Sequence, residues 1–126
     1  RINQFDKSDP LYAQAFSIEE IPGFEDVNAH GDAHHIQVGT TVMNVEQYAD
    51  YLRKSKEFNG QDLRLVACST GAGDDSFAQQ LSELLHITVK APNDDVYYAP
   101  EEGTVFIGEP YINTGIWRTF KNGKEI

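Results

Sequence analysis

The chain holds a single thiol, Cys68, at the end of the apolar run Leu63-Arg-Leu-Val-Ala-Cys68, with small residues following at once in Ser69-Thr-Gly-Ala-Gly73. Thirty-eight positions upstream, the stretch Phe24-Glu-Asp-Val-Asn-Ala-His30-Gly31 ends in an imidazole and a glycine. A thiol attacks well only as thiolate, and an imidazole within reach is the usual base that makes one. If the two runs are neighbouring parallel strands, their carboxyl ends bring Cys68 and His30 together for attack on a carbonyl. The backbone N–H groups of Gly31 and Ser69 are candidate donors to the oxyanion such an attack creates, because the residues around them are small. Asp32, two positions past His30, can orient the ring or cap a turn. Asp94 and Asp95, in the loop Pro92-Asn-Asp-Asp95, can face a positively charged substrate group or close a side-chain turn. A lone cysteine closing a buried strand is more often a small core residue, and that plainer reading stands beside the catalytic one.

The cluster His30-Gly-Asp32-Ala-His34-His35 raises zinc as a rival, with Cys68 as a further ligand. It lacks both the paired-cysteine knuckle and the helical His-Glu-x-x-His spacing, so no metal and no cofactor is expected. His34 and His35 read as edge-strand residues and His86 as a helix end. Tyr97, Tyr98, Phe106, Tyr111, Trp117 and Phe120 either wall a cleft or fill the core of the C-terminal part.

The elements that must position these groups follow from periodicity and turn residues. Residues 1–23 show no period, apart from a short helix over Leu11–Phe16 after the Asp9-Pro10 turn, and read as an irregular lead-in. Phe24–Ala29 and His34–Val38 read as strands. Asn44 with Gln47 has capping-box spacing, and Val45, Tyr48, Ala49 and Leu52 repeat at helical period, predicting a helix over 45–57 that stops at Asn59-Gly60. Leu63–Ala67 suits a central parallel strand. Asp74 or Asp75 is the expected cap of a helix over 75–86 with the stripe Phe77, Ala78, Leu81, Leu84 and Leu85. Its N-terminal dipole favours a thiolate at Cys68, while the two aspartates oppose one. Ile87–Val89 then completes a strand–helix–strand crossover. Val96–Ala99 and Thr104–Ile107 read as a hairpin, and Ile116–Phe120 as an edge strand before a Lys121-Asn-Gly-Lys124 turn. The predicted class is α/β, a mainly parallel sheet flanked by helices with an antiparallel C-terminal hairpin, over residues 24–120 of one domain spanning 1–126.

Composition narrows the function classes. The chain has 126 residues and 40% apolar side chains, enough for one core, and a formal net charge of −10. Its ten Lys and Arg are scattered, which argues against nucleic acid as a partner. The densest group, Arg53-Lys-Ser-Lys56, reads as a solvated helix end. One cysteine excludes an internal disulfide. No apolar run approaches a membrane span.

The order of a strand ending in His30-Gly31, a helix, and a strand ending in Ala67-Cys68 resembles the caspase-like (clan CD) cysteine peptidases. Within that group it looks most like the autoprocessing cysteine-protease domains of large bacterial toxins. The stretch Asn59-Gly60-Gln-Asp-Leu63-Arg-Leu-Val-Ala-Cys68-Ser-Thr-Gly71, with Ser76-Phe-Ala-Gln79-Gln80-Leu81 and Val89-Lys-Ala91-Pro92, is similar to C-terminal tip domains of bacterial polymorphic toxins of the YD-repeat or contact-dependent-inhibition type. The resemblance implies a caspase-like topology, His30 as base and Cys68 as nucleophile. It also implies an effector that is secreted, or delivered from the bacterial surface, into a target cell. There it would act on a protein as a peptidase-like hydrolase or deamidase, and a cognate immunity protein would be its partner. The chain departs from the group in its shortness and in lacking a basic pocket for inositol hexakisphosphate. Two alternatives remain: a non-catalytic binding or membrane-directed toxin domain, and a nucleotide- or nucleic-acid-directed toxin using His30 with acidic residues.

Overall fold

Leu63–Val66 is buried at all four positions, as a strand covered on both faces must be. The computed structural model describes Arg1–Ile126. Its first half runs β1 (Ile2–Asn3), α1 (Pro10–Ala15), β2 (Glu25–Asn28), β3 (His30–Gly31), β4 (His35–Val38), β5 (Thr41–Asn44) and α2 (Val45–Lys54). The second half runs β6 (Leu63–Val66), α3 (Phe77–Leu85), β7 (Thr88–Pro92), β8 (Val96–Ala99), β9 (Thr104–Ile107), β10 (Trp117–Lys121) and β11 (Lys124–Glu125). A six-stranded mixed sheet has the order β1-β2-β6-β7-β10-β11. The first four strands are parallel, and β10 and β11 are antiparallel. β3, β4 and β5 form a small antiparallel sheet, and β8 pairs with β9.

Period-two alternation sends the two faces of the large sheet to different cores. Val27, Leu63, Leu65, Val89 and Phe120 meet Tyr48, Ala49 and Leu52 of α2 and Phe77, Ala78 and Leu81 of α3. The opposite face carries Val66, which packs with Ile18, Val105 and Ile107 under the β8–β9 ribbon. It also carries a buried ion pair, Arg64 Nε and Nη2 donating to Asp26 Oδ1 and Oδ2 at 2.7 and 2.6 Å, with the guanidinium 5.2 Å from the Trp117 ring centroid. The predicted aromatic group is therefore divided. Phe120 belongs to the helix-side core, Tyr98 and Trp117 to the ribbon side, and Tyr97 and Tyr111 are exposed.

Several expectations are corrected. Residues 1–23 are not an irregular lead-in: Ile2 is 1% exposed, and β1 pairs in parallel with β2. The Asn44–Gln47 capping box forms as expected, but α2 ends at Lys54 rather than 57. Ser55 turns extended, and its hydroxyl accepts the Glu57 N–H at 3.1 Å, a local bond that competes with the helix. Neither Asp74 nor Asp75 caps α3. Asp75 sits at φ 52°, outside the extended region a cap needs, and Ser76 accepts the Gln79 N–H instead. The strand containing Trp117 is internal, because β11 covers its outer edge. No helix is long and apolar enough to cross a membrane.

Candidate active site

His30 and Cys68 lie at the carboxyl ends of β2 and β6, the position where parallel α/β sheets hold ligands. Asn28 and Val66 form the last rung of the β2–β6 ladder, two residues before His30 and Cys68. Close packing holds the two tips together. A Cβ on Gly31 would stand 2.8 Å from Thr70 Cγ2 and 3.2 Å from Ala67 Cβ, so only glycine lets the His-Gly turn lie against the cysteine loop. On the far side, a Cβ on Gly71 would stand 2.7 Å from the Ala91 carbonyl oxygen.

The parallel ladder then opens. The Ala29 N–H reaches the Val66 carbonyl at 3.3 Å, and no hydrogen bond takes the N–H of Cys68. Asp32 N–H donates to His35 O at 2.9 Å, so the two-residue alternation of an antiparallel pair points the intervening Gly31 N–H away from β4. The Gly31 N–H therefore has no partner on β4. Ser69 is not the free donor expected: its N–H is spent on the Asp94 carbonyl at 3.0 Å. The amides of Thr70, Gly71 and Ala72 are likewise bonded to carbonyls, and among the amides of this loop that of Cys68 has no carbonyl partner. Ser69 follows at φ 57°, a left-handed residue that turns the chain sharply after the thiol.

Asp9, read in the sequence only as part of a turn before a short helix, carries the imidazole. It caps α1 by accepting the Leu11 N–H at 2.9 Å, while its other oxygen meets His30 Nε2 at 2.5 Å. The His30 hydrogen bond is the main reason the Asp9 carboxyl sits below its usual range. A carboxylate only accepts, so Nε2 carries the proton and Nδ1 of the neutral ring is left as the basic nitrogen. Phe5 packs edge-on against His30 at 4.9 Å and against Tyr98 at 5.9 Å. Tyr98 donates to Asn28 Oδ1 at 2.7 Å, and burial holds its phenol protonated. The buried Asn28 Nδ2 on the same strip has no hydrogen-bond partner.

Cys68 is half-buried, and its Sγ accepts the Val96 N–H at 3.3 Å. Burial pushes the thiol up, as do the charges of Asp95 and Asp94, and together they outweigh the Val96 bond. The charges that oppose a thiolate here are those of Asp95 and Asp94, not of Asp74 and Asp75. No hydrogen bond joins Cys68 Sγ to His30 in the resting arrangement. Asp32 does not orient His30. Its Oδ1 closes the β3–β4 turn by accepting the N–H groups of His34 and His35 at 2.8 and 2.7 Å, and it meets His35 Nδ1 at 3.1 Å. Burial opposes its ionisation, but these bonds win and lower it. His30, Gly31, Asp32, His35, Ile36, Gln37 and Val42 line an open cleft of about 140 Å³ beside the imidazole. No three His, Cys, Asp or Glu side chains converge in a way that could hold a metal ion.

Fold and site define a mixed α/β domain that carries an Asp9-bound imidazole and a half-buried thiol near the ends of two adjacent parallel strands. The chain belongs to the family described as "Domain of unknown function (DUF8616)", whose model matches residues 1–107 and so takes in Asp9, His30, Gly31 and Cys68. No curated protein and no solved structure matches the chain.

Proposed function

We propose that this domain is a bacterial toxin effector of caspase-like topology that hydrolyses a peptide or side-chain amide in a target-cell protein, with Cys68 as nucleophile and His30 as base. The reading rests above all on the opened β2–β6 ladder. It leaves a thiol, an imidazole and two unspent N–H groups at adjoining strand ends. His30 Nδ1 removes the Cys68 proton as sulfur bonds to the substrate carbonyl carbon. The Gly31 and Cys68 N–H groups receive the oxyanion. The imidazolium returns its proton to the leaving nitrogen as the C–N bond breaks. Water then attacks the thioester, giving one proton to His30, and the acid leaves as sulfur regains that proton. Asp9 holds the ring in the required tautomer and steadies its positive charge. Delivery from the bacterial surface and cover by a cognate immunity protein belong to the same proposal.

Expression of the domain in a bacterial host tests it. The native chain arrests growth, and Cys68→Ala and His30→Ala each abolish the arrest while keeping the far-UV spectrum of the parent. On a substrate identified from arrested cells, His30→Ala loses about 10²–10⁴-fold in kcat. Asp9→Asn loses less, at unchanged KM. A toxic Cys68→Ala variant would show the thiol to be packing only.

A further inference from the structure

We propose that the β9–β10 loop, residues 108–116, is a docking arm for the protein substrate, binding an extended segment that carries Lys or Arg beside bulky apolar side chains. The proposal deepens the hydrolase reading and rests on it for the identity of the occupant as substrate. Tyr111, Ile112 and Ile116 are 61%, 66% and 60% exposed, three large apolar side chains within six positions. Single exposed apolar residues are ordinary, whereas a group of them marks a contact surface.

The arm is held rigidly. Asn113 Oδ1 accepts the Ile107 N–H at 2.8 Å, and Gly115 N–H reaches the Ile107 carbonyl at 2.9 Å. Tyr111 and Asn113 take left-handed backbone at φ 63° and 60°, ordinary for Asn113 in a turn and uncommon for a residue as bulky as Tyr111. The same arm borders the thiol. Ile116 N–H donates to Asn93 Oδ1 at 2.8 Å, Gly108 N–H donates to the Asp95 carbonyl at 2.8 Å, and the next residue, Val96, donates to Cys68 Sγ. The arm and the thiol are thus joined through the short segment 93–96.

Charge selects the occupant. Residues 91–117 contain Asp94, Asp95, Glu101, Glu102 and Glu109 and no Lys or Arg. Tyr111 is itself tied to Glu101 through a 2.6 Å hydrogen bond. An apolar surface on so acidic a segment complements a basic, apolar one. It repels a second copy of a chain whose net charge is −10.

The test uses full-length Cys68→Ala protein, so that binding is read without turnover. Fluorescence anisotropy compares a labelled peptide of alternating Lys and Leu with Glu–Leu and Lys–Ser controls. The Lys–Leu peptide is expected to bind at least about tenfold tighter than either control. Ile112→Ser combined with Ile116→Ser should weaken it by about tenfold without shifting the thermal midpoint. Equal binding of the Lys–Ser peptide, indifference to the double serine change, or a dimer in sedimentation that this change dissolves would each overturn the proposal. Because binding is measured without the nucleophile, an inert Cys68 in the native chain sinks the hydrolase and spares the arm. Unselective binding does the reverse.

Discussion

At Cys68 the chemistry is set by what surrounds the sulfur. Half-burial and the charges of Asp95 and Asp94 raise the thiol, so in the proposed reaction its proton leaves as the sulfur attacks. Iodoacetamide alkylation followed against pH should therefore show a midpoint above that of free cysteine. Asp94→Asn with Asp95→Asn should move it down, since those charges disfavour the anion. A native midpoint at or below the free-cysteine value would contradict the neutral resting thiol. Asp9 moves the other way. Its bond to His30 keeps it ionised below the ordinary carboxylate range, so the ring's anchor is complete above that range and is lost only as pH falls through the depressed value.

At the scale of elements, the cysteine loop is fastened from the antiparallel end of the sheet. Arg118 of β10 donates through Nη1 to the carbonyls of Gly71 and Gly73, both at 2.7 Å. Its Nε and Nη2 hold Glu125 of β11 at 3.0 and 2.8 Å. This fork gives the turn after Cys68 a fixed shape that backbone bonds within the loop do not supply alone. Arg118→Met is expected to speed amide exchange in residues 69–73 and to cost about 1–3 kcal/mol in denaturant unfolding. Exchange no faster than in the parent would mean that the loop is held by its bonds to Pro92 and Asp94.

At the scale of the whole molecule, the first nine residues belong to both the sheet and the site. Ile2 fills the helix-side core from β1, and seven positions later Asp9 reaches His30. Ile2→Ala should lower the unfolding free energy by about 2–5 kcal/mol, read from the denaturant midpoint at constant slope. A loss near zero would mean that β1 is not docked in solution. The net charge of −10 is likewise a property of the whole.

Local chemistry was enough to read much of this from the sequence. The capping box at Asn44, the stripes of α2 and α3, the buried run at 63–66, and the placing of His30 and Cys68 at strand ends all depend on neighbours within a few residues. Asp9 was beyond such reading. Its signature is that of a helix cap, and the second oxygen finds His30 only because the sheet folds residue 9 against residue 30. Ser69 was misjudged for the same reason, since the carbonyl that consumes its N–H arrives from Asp94, on a different loop. Periodicity and caps fix which elements form. Which donors stay free, and which carboxylate meets which ring, is decided where distant segments compete for the same hydrogen bonds.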